Sequence, residues 1–247
     1  MGLVILIWAL TTQGSTSEFQ LVPTPQATLA SLRDMLLSGD FWAQLLATLE
    51  RMALGFAASV TMGLVLGTAI GLSRVVSSLL GGIIDALKYT PVSAFIPLTI
   101  IWFGIDNSQK IVVIALGTAP YMTVMVADAI RSTRAEYIEG GLTLGASRIG
   151  IMRRVILPSA APQMWDAARL AFAIAWTYLL TAELVGANVG LGRFLILAER
   201  FVNTREMFAG TILIGLIGFL SDVLFRTFYR RLFPWMHFMT RRGDGHV

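Results

Sequence analysis

Long apolar runs separated by short polar, arginine-rich stretches make up most of this chain. A hydrocarbon core about 30 Å thick asks for roughly 20 helical residues per crossing. The first run, residues 2–10, is short by that measure. It lacks the basic flank of a signal peptide, and residues 11–17 offer no clear small-x-small cleavage site. Three readings follow: a first span clipped by a late start codon, a thin or tilted span, or a cleaved signal, with the first two favoured. Val22-Pro23-Thr24-Pro25 then makes a helix-breaking entry to residues 27–37, which place leucines and a methionine on one face and Arg33 and Asp34 on the other. That pattern predicts a helix lying on the membrane surface.

Residues 41–72 read as one long helix, polar at Gln44, Glu50 and Arg51 and apolar from Met52 onward. Small residues recur every fourth position, at Gly55, Ser59, Gly63, Gly67 and Gly71. Such a stripe lets a second helix approach closely, which is how helices associate in lipid. A third span covers about 80–103, interrupted by Thr90-Pro91 and Pro97, and a tight turn at 104–108 leads to a fourth at about 111–129. Residues 131–158 are polar and basic and leave the membrane. A fifth span covers about 164–185 and a sixth about 207–225. The predicted fold is all-α: a polytopic membrane protein of about six transmembrane helices, the first short or truncated. Its parts are a short first span (1–12), an extracytoplasmic interfacial segment (13–40), a core domain (41–233) containing the loop 131–158, and a cytoplasmic tail (234–247).

Composition agrees, with 55% hydrophobic and only 14% charged residues in 247 and a mean hydropathy of +0.71. That is too little charge for a water-exposed sphere of this size. The net charge of +4 would suit nucleic acid only if the basic residues shared one solvated face. They follow topology instead. One set of loops carries Arg74, Arg131, Arg134, Arg148, Arg153, Arg154, Arg226, Arg230, Arg231, Arg241 and Arg242; the opposite set carries Arg33, Lys110, Arg193, Arg200 and Arg205. The richer side is cytoplasmic, which puts the C-terminus inside. Trp42 and Trp102 then mark the outer interface, and Trp165 and Trp235 the inner one.

The loop between spans four and five carries the densest local instruction. Ser132 or Thr133 can cap a short helix bearing Glu136 and Glu139. Gly145 suits a left-handed stop, and Ser147 can cap a second helix that ends before Pro158. A bulky side chain at 145 is expected to clash at the turn. The whole predicts a compact helix-turn-helix just below the membrane.

At these residues the chain resembles the membrane permeases of bacterial ATP-binding-cassette importers. Their cytoplasmic signature is Glu-Ala-Ala, three residues, Gly, nine residues, Ile-x-Leu-Pro. Glu139-Gly140-Gly141, Gly145, Val155, Leu157 and Pro158 stand at that spacing, with glycine for both alanines and valine for isoleucine. The two glycines loosen the first helix by roughly 1–2 kcal/mol. The wider chain, from Val22 to about Phe233, is similar to the nitrate/sulfonate/taurine branch, through Val22-Pro23-Thr24-Pro25, the glycine-striped span, Trp102-Phe103-Gly104-Ile105, Glu183-Leu-Val-Gly186-Ala187 and Gly190-Leu191-Gly192. The resemblance implies that Glu136, Glu139, Gly140, Gly141, Gly145, Ser147, Arg148, Leu157 and Pro158 form a coupling loop seated in a groove of an ATPase subunit. It also implies a bacterial inner-membrane assembly of two permease copies, two ATPases carrying ATP and Mg, and an extracytoplasmic binding protein that delivers the solute near residues 186–205. The branch handles nitrate, bicarbonate, taurine and other sulfonates, aromatic acids and vitamin precursors, so a small anionic solute is expected.

Elimination narrows the chemistry. A phosphate-binding loop needs Gly-Lys-Ser or Gly-Lys-Thr, whereas the only lysines are Lys88 and Lys110, preceded by Leu87 and Gln109. The motor must therefore be another polypeptide or an ion gradient. With no cysteine, histidine only at His237 and His246, and no Gly-x-Ser-x-Gly, the chain offers no thiolate metal site, zinc-protease motif or serine-hydrolase motif, and no metal ligand set is expected. It is read as a non-enzyme without a cofactor of its own. An ion-driven secondary carrier is the alternative, and Asp85, Asp128, Asp166, Glu183 and Asp222 are its acidic candidates. Asp85 with Lys88 and Asp166 with Arg169 are spaced to pair on one helix face. Glu183 has no basic neighbour at helical spacing and is the first candidate for the pathway or its outer gate, with a hydrogen bond to a partner protomer weighed equally. Lys88 and Arg169 are the candidates for attracting an anion.

Overall fold

The computed structural model describes residues 2–12 and 22–236, and every regular element among them is helical. Residues 13–21 of the interfacial segment, the tail from 237 onward with Arg241 and Arg242, and both histidines lie outside the described residues.

The first helix, α1 (Gly2–Thr12), has 11 residues. It therefore rises only about 16 Å, roughly half a hydrocarbon core. Trp8 ties it down: its indole N–H donates to the Pro23 carbonyl at 3.0 Å, and its ring stacks on Phe208. Helix α2 (Pro25–Leu37) begins as its sequence requires, with Thr24 accepting from the Ala27 N–H and proline in the first turn, where its missing N–H costs nothing. It packs on the last helix, burying Thr28 and Met35, while Leu29 and Leu37 stay exposed. Ser38 closes α2 and opens α3 (Gly39–Leu72), donating to the Met35 carbonyl and accepting from the Phe41 N–H.

The small-residue stripe of α3 faces α6 (Asn107–Arg131), the central helix, whose Val113, Ile114, Met122 and Val126 are fully buried. A Cβ at Gly55 would meet Ile114 at 2.7 Å, and one at Gly67 the Thr123 carbonyl at 2.6 Å. Gly63 and Gly71 similarly oppose Met122 and Ile130. Ser59 continues the stripe, fully buried. The close approach anticipated from sequence is thus made within one chain.

The third span is broken rather than merely kinked. Helices α4 (Arg74–Tyr89) and α5 (Val92–Phe103) meet at 99° across Thr90-Pro91, where proline removes a donor and forces the preceding residue out of helical geometry. The Tyr121 hydroxyl, donating to the Lys88 carbonyl at 2.8 Å, pins this break to α6. Among the described residues, four helical segments are long and apolar enough to cross a membrane, and the α4–α5 pair makes a fifth if it counts as one span.

After α6 come α7 (Ala135–Thr143), α8 (Arg148–Ile151), a π-helical turn (Met152–Ile156) and α9 (Leu157–Leu184). The expected stop before Pro158 does not occur. The wider π turn, with the Leu157 N–H reaching back to the Met152 carbonyl, accommodates the proline, and α8 runs on into α9. Residues 186–205 carry no span in the sequence pattern. They contain α10 (Leu191–Arg200), followed by α11 (Thr204–Leu232). Phe56, Phe172, Trp176 and Phe225 knit α3, α9 and α11 into one aromatic cluster.

Candidate functional site

At one end of the bundle, the loop between α6 and α9 is a local construction presented outward. Helix α7 buries no residue. It ends in a Schellman turn: Ala146 N–H donates to the Gly141 carbonyl (3.0 Å), Gly145 N–H to the Leu142 carbonyl (2.9 Å), and Gly145 takes φ +78°. Ser147 caps α8 by accepting from the Gly150 N–H at 3.1 Å. The expected cap at the other end is absent. Arg134 occupies the N-cap position without a side-chain bond, and Ser132 instead donates toward Ala129 and pairs with Gln163. Arg134 bonds Glu136 at 3.3 Å and lies over the Tyr137 ring. The Glu136 carboxyl is held below its ordinary value first by a bond from its own backbone N–H, then by Arg134.

The loop exposes apolar groups that a solvated tether would hide. Leu144 is 89% exposed and Ile149 64%. Beside them Glu139, Gly140, Gly145, Ser147 and Arg148 are exposed as well. A Cβ at Gly140 would meet nothing within 4 Å, and one at Gly141 would touch Ile151 at an ordinary 3.4 Å. Both positions therefore tolerate the alanines of the resembled signature. A Cβ at Gly145 also points into open space, so the expected internal clash is replaced by a backbone cost from the positive φ and by projection from the exposed surface of the loop. Leu157 and Pro158 begin α9 and join the loop rigidly to a span.

At the opposite end lies a buried polar knot. Glu183, fully buried on the last turn of α9, pairs with Arg51 of α3, itself 4% exposed, at 2.6 Å. Thr48 donates to the same carboxylate at 2.9 and 3.1 Å. Arg51 also donates to Asn107 and to the Val189 carbonyl. The first N–H groups of α10 have no helical partners of their own. They are taken by side chains: Gly190 N–H by Gln44, Leu191 N–H by Thr48 and Gly192 N–H by Glu183. Gln44, Thr48 and Arg51 fall on one face of α3, and Glu183 supplies negative charge at the positive end of α10. Gly190, at φ +139°, passes so close that a Cβ would stand 2.5 Å from the carboxylate.

The three pathway candidates are not brought together. Glu183 is closed off in the knot, with its partners inside this chain. Lys88 pairs with Asp85 at 2.8 Å beside the break in the third span. Arg169 is shared between Asp166 (3.7 Å) and Asp222 (3.2 Å). Sequence reasoning missed Arg51 as the partner of Glu183, since 132 positions separate them. The available signal was paired necessity: an arginine and a glutamate in apolar helices each require an opposite charge. Lys110 and Gln109, both buried beside this end, were missed too; Lys110 donates to the Asp106 carbonyl and Gln109 to Thr99.

Crossing helices and an outward loop with exposed apolar side chains suit a transport subunit of the membrane, and comparison with known proteins gives the family. Residues 59–237 match the family described as binding-protein-dependent transport system inner membrane component, and the chain belongs to that family. It is a multi-pass permease component of the inner membrane.

Among particular relatives, the taurine transport system permease protein TauC of Escherichia coli (strain K12) is 34% identical over 87% of this chain and 80% of its own length. The putative aliphatic sulfonates transport permease protein SsuC of Bacillus subtilis (strain 168) is 32% identical over 95% and 85%. In fold, the chain resembles one from the inward-facing MetNI methionine ABC transporter, with TM-score 0.68 and 23% identity over 75% of this chain and 92% of the other.

Proposed function

We propose that this chain is the translocation subunit of an ATP-binding-cassette importer for a sulfonate, with taurine or an aliphatic sulfonate as the solute. Two copies form the path, two ATPase subunits bind ATP and Mg and dock on the α7–α8 loops, and an extracytoplasmic binding protein delivers the solute to the end that holds the Arg51–Glu183 knot. The C-terminus is cytoplasmic, on the side of the arginine-rich loops.

The observation that carries this reading is the α7–α8 knuckle. Exposed Leu144 and Ile149 sit on a turn fixed by the Schellman bonds and the Ser147 cap, and the π turn continues it into α9. A push on the knuckle is therefore delivered to a span, which is what alternating access driven from outside the chain requires. The solute class is supported by the taurine and sulfonate relatives, each matched over most of its length.

The test is uptake of radiolabelled taurine and ethanesulfonate into proteoliposomes containing the chain, its ATPase and its binding protein. Enclosed ATP should drive uptake that stops when either partner is omitted. Uptake by this chain alone under a proton or sodium gradient would establish the secondary carrier instead.

A further inference from the structure

Between α9 and α11 lies a pocket of about 130 Å³, lined by Arg169, Phe172, Trp176, Gly218, Asp222 and Phe225. Its volume is roughly ten times what a single water needs and well below that of a drug-sized site. Trp176 is 92% buried, and its indole N–H has no acceptor among the described residues. A buried donor left unpaired is costly, and in native proteins it asks for an explanation. The space over Gly218 supplies one. The nearest atoms to a Cβ placed there are Trp176 Nε1 at 3.7 Å and its Cδ1 at 3.8 Å, so the glycine keeps open the room in front of the N–H.

The charges at the rim are arranged to meet both signs. Asp222 takes Arg169 on one oxygen at 3.2 Å and Arg226 on the other at 2.8 Å, while Arg169 reaches Asp166 at 3.7 Å. Two arginines and two aspartates cancel, so the rim suits neither a bare anion nor a bare cation. A guanidinium has five donors, more than two single contacts engage. Arg169 and Asp222 are both about one-third exposed and can turn toward an entering group. Ala173 also lines the pocket and belongs to the exposed face of α9 with Leu170, Thr177 and Leu184. The neighbouring exposed face of α11 carries Leu216, Phe219, Leu220 and Val223, which suit lipid. Through Ala173 the pocket lining adjoins the exposed face of α9 next to Leu170 and Thr177.

We propose that this pocket is a solute subsite for a small zwitterionic aminosulfonate. The sulfonate, an acceptor with no donor of its own, takes the Trp176 N–H and the Arg169 guanidinium. The ammonium rests on Asp222 among the rings of Phe172 and Phe225, where its charge is favoured by the aromatic faces. The proposal rests on the sulfonate reading above and narrows it to solutes bearing both charges.

The experiment uses the complete reconstituted transporter, with taurine as the zwitterion and ethanesulfonate as the bare anion. Trp176→Phe keeps an aromatic ring against Phe172 and removes the donor together with the fused five-membered ring that carries it. It should lower taurine uptake roughly tenfold or more while the ATPase stimulation by loaded binding protein stays near wild type. Asp222→Asn should shift the uptake ratio toward ethanesulfonate by about fivefold or more, which a merely structural role of the ion pair does not predict. Gly218→Leu, which fills the pocket, should abolish taurine uptake in a protein that still assembles with its ATPase. Unchanged taurine uptake in Trp176→Phe, with an unchanged ratio in Asp222→Asn, means that the pocket holds water only and overturns the subsite, leaving the importer reading intact. Failure of the wild-type assembly to take up either sulfonate overturns the sulfonate reading and the subsite together.

Discussion

The two ends of this molecule solve opposite problems with similar residues. At the Arg51–Glu183 end, charged and polar side chains are buried and close on one another, and glycines at 190 and 192 exist because Glu183 fills the space where a Cβ would be. At the α7–α8 end, Glu136, Glu139 and Arg148 are exposed, glycines at 140 and 145 face open space, and large apolar side chains point away from the chain. A polar group that finds its partners internally fixes the relation between helices. One that leaves its surroundings open remains available to another polypeptide. The same glutamate or glycine thus means closure at one end and exposure at the other, and only its neighbours tell which.

The sharpest way to break that contrast is Arg51→Ala. It leaves the Glu183 carboxylate buried without its counter-ion and should cost roughly 3–5 kcal/mol, read as a lowered midpoint of thermal unfolding in detergent. The double variant Arg51→Ala with Glu183→Gln should recover part of that loss, because the buried charge is gone.

Next in size are three glycine substitutions. Gly67→Val drives a side chain into the Thr123 carbonyl and Val126 of α6, and should cost on the order of 1–3 kcal/mol or prevent assembly of the bundle. Gly140→Ala meets nothing and should instead stabilise α7 by up to about 1 kcal/mol, read by protection of its amides from hydrogen exchange. Gly145→Trp carries a local backbone cost of roughly 1–2 kcal/mol from the positive φ. Its larger consequence is functional: the ring projects from the face proposed to meet the ATPase, so uptake should be lost while the spans remain folded. Uptake equal to wild type in that variant would remove the docking role.

The smallest effect is on pH. Glu136 has its carboxyl held below the ordinary value, so its contribution to α7 is complete above the ordinary carboxylate range and disappears only as pH falls through the depressed value. Amide protection of α7 should therefore be flat from neutral pH down to mild acid and fall only below that. A loss already near pH 6 would contradict the assignment.

Much of this contrast was legible in sequence, and unevenly so. The glycine stripe of α3, the left-handed stop at Gly145 and the Ser147 cap follow from local chemistry, and each stands where periodicity or spacing put it. So do the pairs Asp85–Lys88 and Asp166–Arg169, which lie one turn apart. What escaped depends on contacts between distant segments. Glu183 lacked a basic neighbour on its own helix, which made it resemble a pathway residue, whereas its arginine comes from α3. Pro158 read as a helix stop because a proline in an ideal α-helix is one; the π turn before it is a choice made by the packed loop. Helix α10 has no local signal in the sequence, because its first donors are capped by side chains from α3 and α9 and no local capping residue precedes it.

The central claim is that the α7–α8 knuckle docks an ATPase, and the chain's lack of cysteine makes a direct test clean. In membranes holding the assembled transporter, Leu144→Cys should form a specific cross-link to an ATPase subunit carrying a cysteine in its docking groove, be shielded from thiol reagents added outside, and lose uptake once linked. A Leu144→Cys protein that labels from the extracytoplasmic side, or that transports at the wild-type rate with no ATPase in contact, would contradict the account.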